Sequence, residues 1–571
     1  MPAIRPIDVG EIRLEGEIGR RVDLTAEGNM LAVDLEGEFL APFREPRDAA
    51  PGYVGLGHFL DAASRLARHG RHEKLAELRM RILRAVRDFQ DPDGYIGTFP
   101  RGHRLAELWD VHETSHLIYG LASDFMLWRE GAVLDVARRL ADWLIGAWIA
   151  APEKVPGDPV MATLDSEPAM LAMYEASGDR KYLDFCTGFL KLAEWDRPIV
   201  LGRWKRIEGH VYDYLSRCVA QQQLKRWRPD SRLDGPTRRA LEFMLRGGGV
   251  VISGALGEHE CWHDSQEGLG LLGETCATAY FIRLLHVLLQ QSGDSLHGDV
   301  MERAVYNALF AAQSPDGRRL RYYTPLEGPR AYYPRDTYCC PSNFRRIVSE
   351  LPQMVFYMAA GGVLVNLYTA CSAQLTLPGG GALEIRQETD YPRCGEVLIL
   401  LEPEAPTGFS LDLRIPRWCR GARIAINGQQ VTPAARPGSF LSLERTWRGG
   451  DHVELSMPMA PRLVRGFRAQ RGRAAVMRGP LLYCLNPEHN PGLAGTDPRL
   501  LVVDPATLRE EGDCCRVRAW GPGVHYPADD PELDMLLSAF PDPGGTAVYF
   551  RVPVPGDDGL VPDELLEAGD E

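Results

Sequence analysis

The sequence predicts a multidomain α + β protein, with an (α/α)6 helical barrel followed by β-sandwich domains. Three observations carry this. At 571 residues the chain is too long for one ordinary core, and two to four domains are expected. From about residue 55 to 360, apolar residues recur at the spacing of amphipathic helices. Beyond 360 they alternate at the period of strands, with turn residues at short intervals.

Taken in order, residues 1–45 alternate apolar and polar positions (EIRLEGEIGRRVDL, then NMLAVDLEGEFL). They read as N-terminal strands packing on the sandwich or the barrel. The barrel is assigned to residues 46–360. Its helical runs are 57–69, 73–89, 112–129, 132–149, 166–176, 180–194, 209–225, 235–246, 275–292, 299–312 and 342–358, separated by Gly, Pro and Asp. Eleven runs are one short of six hairpins. No fixed repeat supports a solenoid instead. Residues 361–487 (GGVLVNLYTA, EVLILLEPEA, FSLDLRIPRW, HVELSMPMAPRLV) read as a β-sandwich, and 488–571 as a small C-terminal β region with a frayed acidic tail.

The formal net charge of −14 argues against nucleic acid or an anionic membrane surface as partner. No apolar run approaches 18 residues, and MPAIRPIDVGEIRLEG lacks the form of a secretory leader. The 12 cysteines are scattered, unlike a disulfide framework. A reducing cytoplasm is the expected compartment, with thiols free for metal or catalysis.

Two stretches concentrate those thiols: GETCATAY (273–280) and DTYCCPSNFRR (336–346). On one continuous helix Glu274 and Cys276 would point about 200° apart. They can share a ligand only if Glu274 precedes the helix and Cys276 lies in its first turn. Pro341 suits a first helical position, which puts Cys339 and Cys340 at a helix start as well. There the helix dipole favours thiolates. One carboxylate and three thiolates make a tetrahedral zinc set. The same cysteines, read singly, are ordinary buried hydrophobes.

With QDPDGYIGT (90–98), LDLRIPRW (411–418) and RGPLLYCLN (478–486), these motifs stand in the order of one family. From the first helices to about residue 486 the chain resembles glycoside hydrolase family 127, the β-L-arabinofuranosidases. The resemblance implies an (α/α)6 barrel with β-sandwiches and a Zn2+ ion held by Glu274, Cys276, Cys339 and Cys340. It implies Cys339 as nucleophile of a retaining glycosidase. The acid/base glutamate of an E-x-aromatic motif maps to Glu260 in GEHECWHD, with Glu258 the second candidate. His116, His210 and Tyr323 are implied sugar contacts, and His112, His58 and Trp109 their neighbours. A further family histidine is missing from TLDSEPAML (163–171), and the segment between Tyr323 and Cys339 is short. Both departures bear on which sugar is taken.

The expected partner is a glycoside or oligosaccharide substrate, with a homodimer left open. A polysaccharide lyase or sugar epimerase with structural zinc, or a non-catalytic carbohydrate-binding protein, are the rival readings.

Overall fold

A computed structural model of the chain describes residues 4–46, 52–156, 165–202, 209–431, 435–524, 529–553 and 559–566. Six helices form a closed ring: α3 (Leu56–His69), α5 (Leu108–Trp128), α7 (Ser166–Ser177), α9 (Val211–Leu224), α11 (Thr275–Ser292) and α13 (Cys339–Glu350). Each packs on the next, and α13 packs back on α3. The intervening helices α4 (Glu73–Phe89), α6 (Gly131–Ala150), α8 (Arg180–Asp184), α10 (Gly235–Leu245) and α12 (Ser295–Arg303) each lie against a ring helix. The ring helices are buried almost all round, as in α11 from Thr275 to Leu285, while α4 buries one stripe only. Among the described residues no helix is long and apolar enough to cross a membrane.

The N-terminal assignment needs correction. Among the described residues of this segment only Arg5–Pro6 and Ile12–Leu14 are strands, and residues from Gly16 to Arg44 are mostly helical, with α1 at Gly16–Asp23 and α2 at Ala41–Arg44. Ile18, Val22, Ala26 and Met30 are buried, then Leu35, Phe39 and Phe43. A four-residue interval satisfies both alternation and a helix. The deciding positions are two residues on, where a buried strand face would need apolar side chains and the chain has Arg20 and Gly28. This segment packs on α13 and supplies the missing outer helical layer. Arg345 Nε donates to Asn29 Oδ1 at 2.6 Å and fastens the two.

The last helical run also ends early. A strand occupies Phe356–Ala359, within the range read as helix to 358. It belongs to a five-stranded sheet that also takes Arg5–Pro6, and a facing seven-stranded sheet takes Ile12–Leu14. In the strand Glu396–Pro403, buried and accessible residues alternate, as a sheet with one covered face requires. Strands from Arg462 onward, including Arg473–Arg478 and Leu481–Leu485, form a separate nine-stranded sheet. The boundary placed at 487 therefore falls near 460. Short strands of similar pattern gave no sign of which sheet they join. The acidic end is docked in its described part: Leu560–Val561 pairs with Leu463–Val464, and Arg303 meets Asp563 at 2.9 Å.

Three of the quoted motifs hold these parts together. Arg414 of LDLRIPRW is fully buried and binds Asp299 and Glu302 of α12 at 2.5 Å each. Asn307, just past α12, bonds Pro480 O and Leu482 N of RGPLLYCLN. In QDPDGYIGT, Tyr95 donates to Asp110 at the start of α5.

Candidate active site

The thiols converge because two ring helices begin side by side. Gly273 has φ +75°, and a Cβ there would approach Thr324 Oγ1 at 2.8 Å, so the turn into α11 favours glycine. Glu274 then caps the helix in an extended conformation, with Cys276 in the first turn. Opposite, Tyr338 takes φ +97°, a strained conformation for an aromatic residue, and Cys339 and Cys340 open α13. Pro341 is thus the third helical residue and not the first; its missing N–H is one of the unpaired donors of a first turn either way.

The donor atoms of Glu274, Cys276, Cys339 and Cys340 lie within 4.8 Å of one another, all buried. A tetrahedron with zinc–sulfur bonds near 2.3 Å has edges of about 3.8 Å. Glu274 Oε2 is buried without a hydrogen-bond partner among the described residues. Burial, then the neighbouring Glu260 and Cys339, pushes the Glu274 carboxyl well above its usual range. Buried acidic groups that penalise one another are the arrangement a cation relieves. The four residues fit a metal ion. Behind them, Asn343 Nδ2 donates to Cys276 Sγ at 3.4 Å, and Arg283 holds the Asn343 carbonyl.

The three thiols are not equivalent. Cys276 and Cys340 have no exposure, whereas Cys339 retains 9 %. Burial opposes the Cys339 thiolate, but hydrogen bonds from Cys276, Cys340 and Tyr322 outweigh it and hold its pKa well below that of an ordinary thiol. Tyr322 OH lies 3.1 Å from Cys339 Sγ and donates to Glu260 Oε1 at 2.5 Å. Sulfur and carboxylate oxygen are therefore at most about 5.6 Å apart, those two legs laid end to end.

Glu260 sits where it does because Glu258 and Cys261 pair across a two-residue turn. His259 and Glu260 both have positive φ there (49° and 69°), as a type I′ turn demands. The turn separates the two candidate glutamates. Glu260 faces the cysteines, with His210 Nε2 3.7 Å from it, while Glu258 turns to His263 at 3.2 Å. Burial and the Cys339 charge raise Glu260 to about 7, against the Tyr322 hydrogen bond. Burial lowers His210 to about 4, so it stands neutral beside Glu260.

His116 occupies a neighbouring cluster and does not touch the thiols. Its Nε2 meets Asp165 at 2.9 Å, with His112 3.9 Å from the same carboxylate. Tyr212 and Ser216 also donate to Asp165. His58 stacks within 3.8 Å of His116, and Trp109 lies near His112 and Tyr338. Of the stretch lacking the family histidine, residues 163–164 fall outside the described residues, and from Asp165 on it contributes a carboxylate.

Residues 52–353 match the GH127 catalytic domain of the β-L-arabinofuranosidases, and residues 362–459 match the GH127 middle domain. The chain belongs to glycoside hydrolase family 127. It is a glycoside hydrolase. The family 127 chain is 24% identical over 501 residues to a non-reducing end β-L-arabinofuranosidase of Bifidobacterium longum subsp. longum, spanning 76% of this chain and 75% of that one. A GH127 β-arabinofuranosidase structure matches 98% of this chain and 99% of its own, with TM-score 0.82 and 22% identity. The GH127 β-L-arabinofuranosidase Ara127N of Geobacillus stearothermophilus T6 matches 95% and 100%, with TM-score 0.78 and 22% identity. These likenesses show the fold.

For this family 127 enzyme, sequence reasoning selected Tyr323 and passed over Tyr322. In RYYTPL the chain bends at Tyr322, which brings the two rings to 4.8 Å. Tyr323 pairs its backbone with Glu274 and packs its ring on Tyr322, and the hydroxyl between Cys339 and Glu260 is that of Tyr322. Burial keeps the Tyr322 hydroxyl protonated, so it acts as a donor. Tyr322→Phe removes a charge-assisted hydrogen bond worth about 1.5–3 kcal/mol. It is expected to lower kcat/KM by about 10- to 100-fold, with the acid limb of the pH–rate profile moved upward as the Cys339 thiol becomes less acidic. Unchanged kinetics would remove Tyr322 from the account.

Proposed function

We propose that this chain is a retaining β-L-arabinofuranosidase on an (α/α)6 barrel, with Cys339 as nucleophile, Glu260 as acid/base, and zinc on Glu274, Cys276, Cys339 and Cys340. The observation that carries the reading is the Tyr322 bridge. A nucleophile and a carboxyl group no more than about 5.6 Å apart suit double displacement; inversion needs roughly 6.5–9.5 Å to admit a water between them.

Bound zinc would keep the cysteine sulfurs ionised at neutral pH. Cys339 Sγ attacks the anomeric carbon, and the bond to the leaving oxygen breaks as Glu260 gives that oxygen its proton. The resulting thioglycosyl bond is then broken by water, whose proton returns to Glu260. Tyr322 lies between the two groups and orients them: its single O–H donates to the Glu260 carboxylate, or turns to the Cys339 sulfur when Glu260 carries the proton. His116 and His210 are the proposed sugar contacts, with Tyr323 packing behind Tyr322. Asp165 fixes the His116 ring through its Nε2, a second-layer arrangement of the kind that sets tautomer and direction.

The arabinofuranose preference follows from the relatives' activities and is the finer part of the proposal. Assay of aryl α- and β-glycosides of L- and D-furanoses and pyranoses, with product stereochemistry by NMR, tests it. Release from the β-L-arabinofuranoside with retained configuration is expected; inversion of configuration, or no hydrolysis of any furanoside, contradicts it.

Elemental analysis is expected to find about one zinc per chain. Chelation should abolish activity and lower the thermal midpoint, because folded-state ligands bind the ion only in the native chain. Protein that is active and equally stable without metal would end the zinc assignment.

A further inference from the structure

The ring of helices holds a cavity of about 950 Å³, at the ends remote from the cysteines. Arg283 and His286 reach it from α11, Arg346 and Glu350 from α13, and Arg65 from α3. At about 1.5 Å rise per residue, Arg283 and Arg346 each stand roughly 10 Å along their helices from Cys276 and Cys339. The cavity lies behind the thiol site and is joined to it through Arg283 and Asn343, whose amide donates to Cys276.

Its charge runs against that of the protein. The chain carries 64 basic and 78 acidic side chains, yet six arginines and lysines line this cavity against two glutamates. At its mouth Lys225 pairs with Asp234 at 2.7 Å and Arg226 with Glu175 at 3.4 Å, so the unspent charge lies on the inner wall. On the inner wall, Arg65 and Arg346 share Asp61 at 2.9 and 3.0 Å, and Arg283 takes Glu350 at 2.9 Å. Three guanidinium groups thus face two carboxylates. Arg283 Nη2 and Arg346 Nη1 are buried with no hydrogen-bond partner among the described residues. Unused donors on buried arginines are costly. Tyr280 and Tyr119 support the two guanidinium groups at 4.7 and 4.5 Å from their ring centroids, which holds the forks in place.

We propose that this cavity binds a small oxyanion, a phosphate or a carboxylate, at the unpaired donors of Arg283 and Arg346. The planar fork of arginine matches either group. Free inorganic phosphate and the carboxylate of an acidic sugar are the two sources of that chemistry.

Isothermal titration at fixed ionic strength, with inorganic phosphate in one arm and glucuronate in the other, separates them. Gln223, also on the cavity lining, is the position to change. Saturable binding of at least one probe is expected, weakened about tenfold or more in Gln223→Glu and tightened in Gln223→Lys, by charge across the cavity. Binding of phosphate alone assigns the free anion, and binding of glucuronate assigns the acidic sugar. Thermal midpoints in anion-free buffer check that both variants fold. No saturable binding of either probe overturns the proposal, as does an affinity indifferent to both substitutions.

Discussion

Cys339→Ala is expected to abolish glycoside hydrolysis, by on the order of 10⁴-fold or more in kcat, since in the proposed mechanism Cys339 forms the covalent bond. The loss should be as great on activated aryl glycosides as on natural ones, because the missing step is attack and not departure. Cys340→Ala loses activity by another route. Cys340 is fully buried and meets Cys276 Sγ at 3.2 Å, behind the exposed edge of Cys339. Its removal should cost metal content and stability first. Alkylation by a sugar-shaped haloacetamide, followed by peptide mapping, separates the two roles: the label belongs on Cys339. A Cys339→Ala enzyme that retains turnover would refute the assignment.

Glu260→Ala should cost about 10²–10⁴-fold on a natural glycoside, whose leaving oxygen must be protonated as it departs. On an activated aryl glycoside the first step should be nearly unaffected. Azide, which attacks without a general base, should restore turnover. The pH dependence carries the same information. In the proposed mechanism Glu260 gives up its proton in the first step, and its carboxyl is raised to about 7. Wild-type kcat/KM on the natural substrate should therefore fall as pH rises through about 7, and this limb should vanish in Glu260→Ala. Glu258→Ala, altering a side chain turned to His263, should stay near wild type on all counts. Azide rescue of Glu258→Ala in place of Glu260→Ala would exchange the roles.

Which features were legible follows from how local their causes are. The helix starts at Glu274 and Cys339 are written in short stretches, where Gly273, the capping position and Pro341 act over a few residues. The pairing of those two starts is not written there; it comes from α11 packing on α13, 64 residues apart at Cys276 and Cys340. The choice between Glu258 and Glu260 rests on a two-residue turn with both φ values positive, yet His259 and Glu260 are not residues that announce such a turn. Tyr322 reaches Glu260 across 62 positions and Cys339 across 17, with nothing in RYYTPL to prefer it to Tyr323. Asp165 was hidden in a stretch notable only for a missing histidine. At the N-terminus a four-residue repeat of apolar side chains satisfied two periods, and Arg20 and Gly28 decided for the helix. The inner helices were found despite burial on nearly every face, because Gly, Pro and Asp still marked their ends.

Trapping the covalent intermediate tests the central claim most directly. Glu260→Ala is mixed with an activated aryl β-L-arabinofuranoside, quenched and digested, and the peptides are weighed. One added glycosyl group on the peptide containing Cys339, discharged by azide, is the expected result. A glycosyl group on an aspartate, a glutamate or Cys340, or direct conversion to inverted product with no adduct, would contradict it.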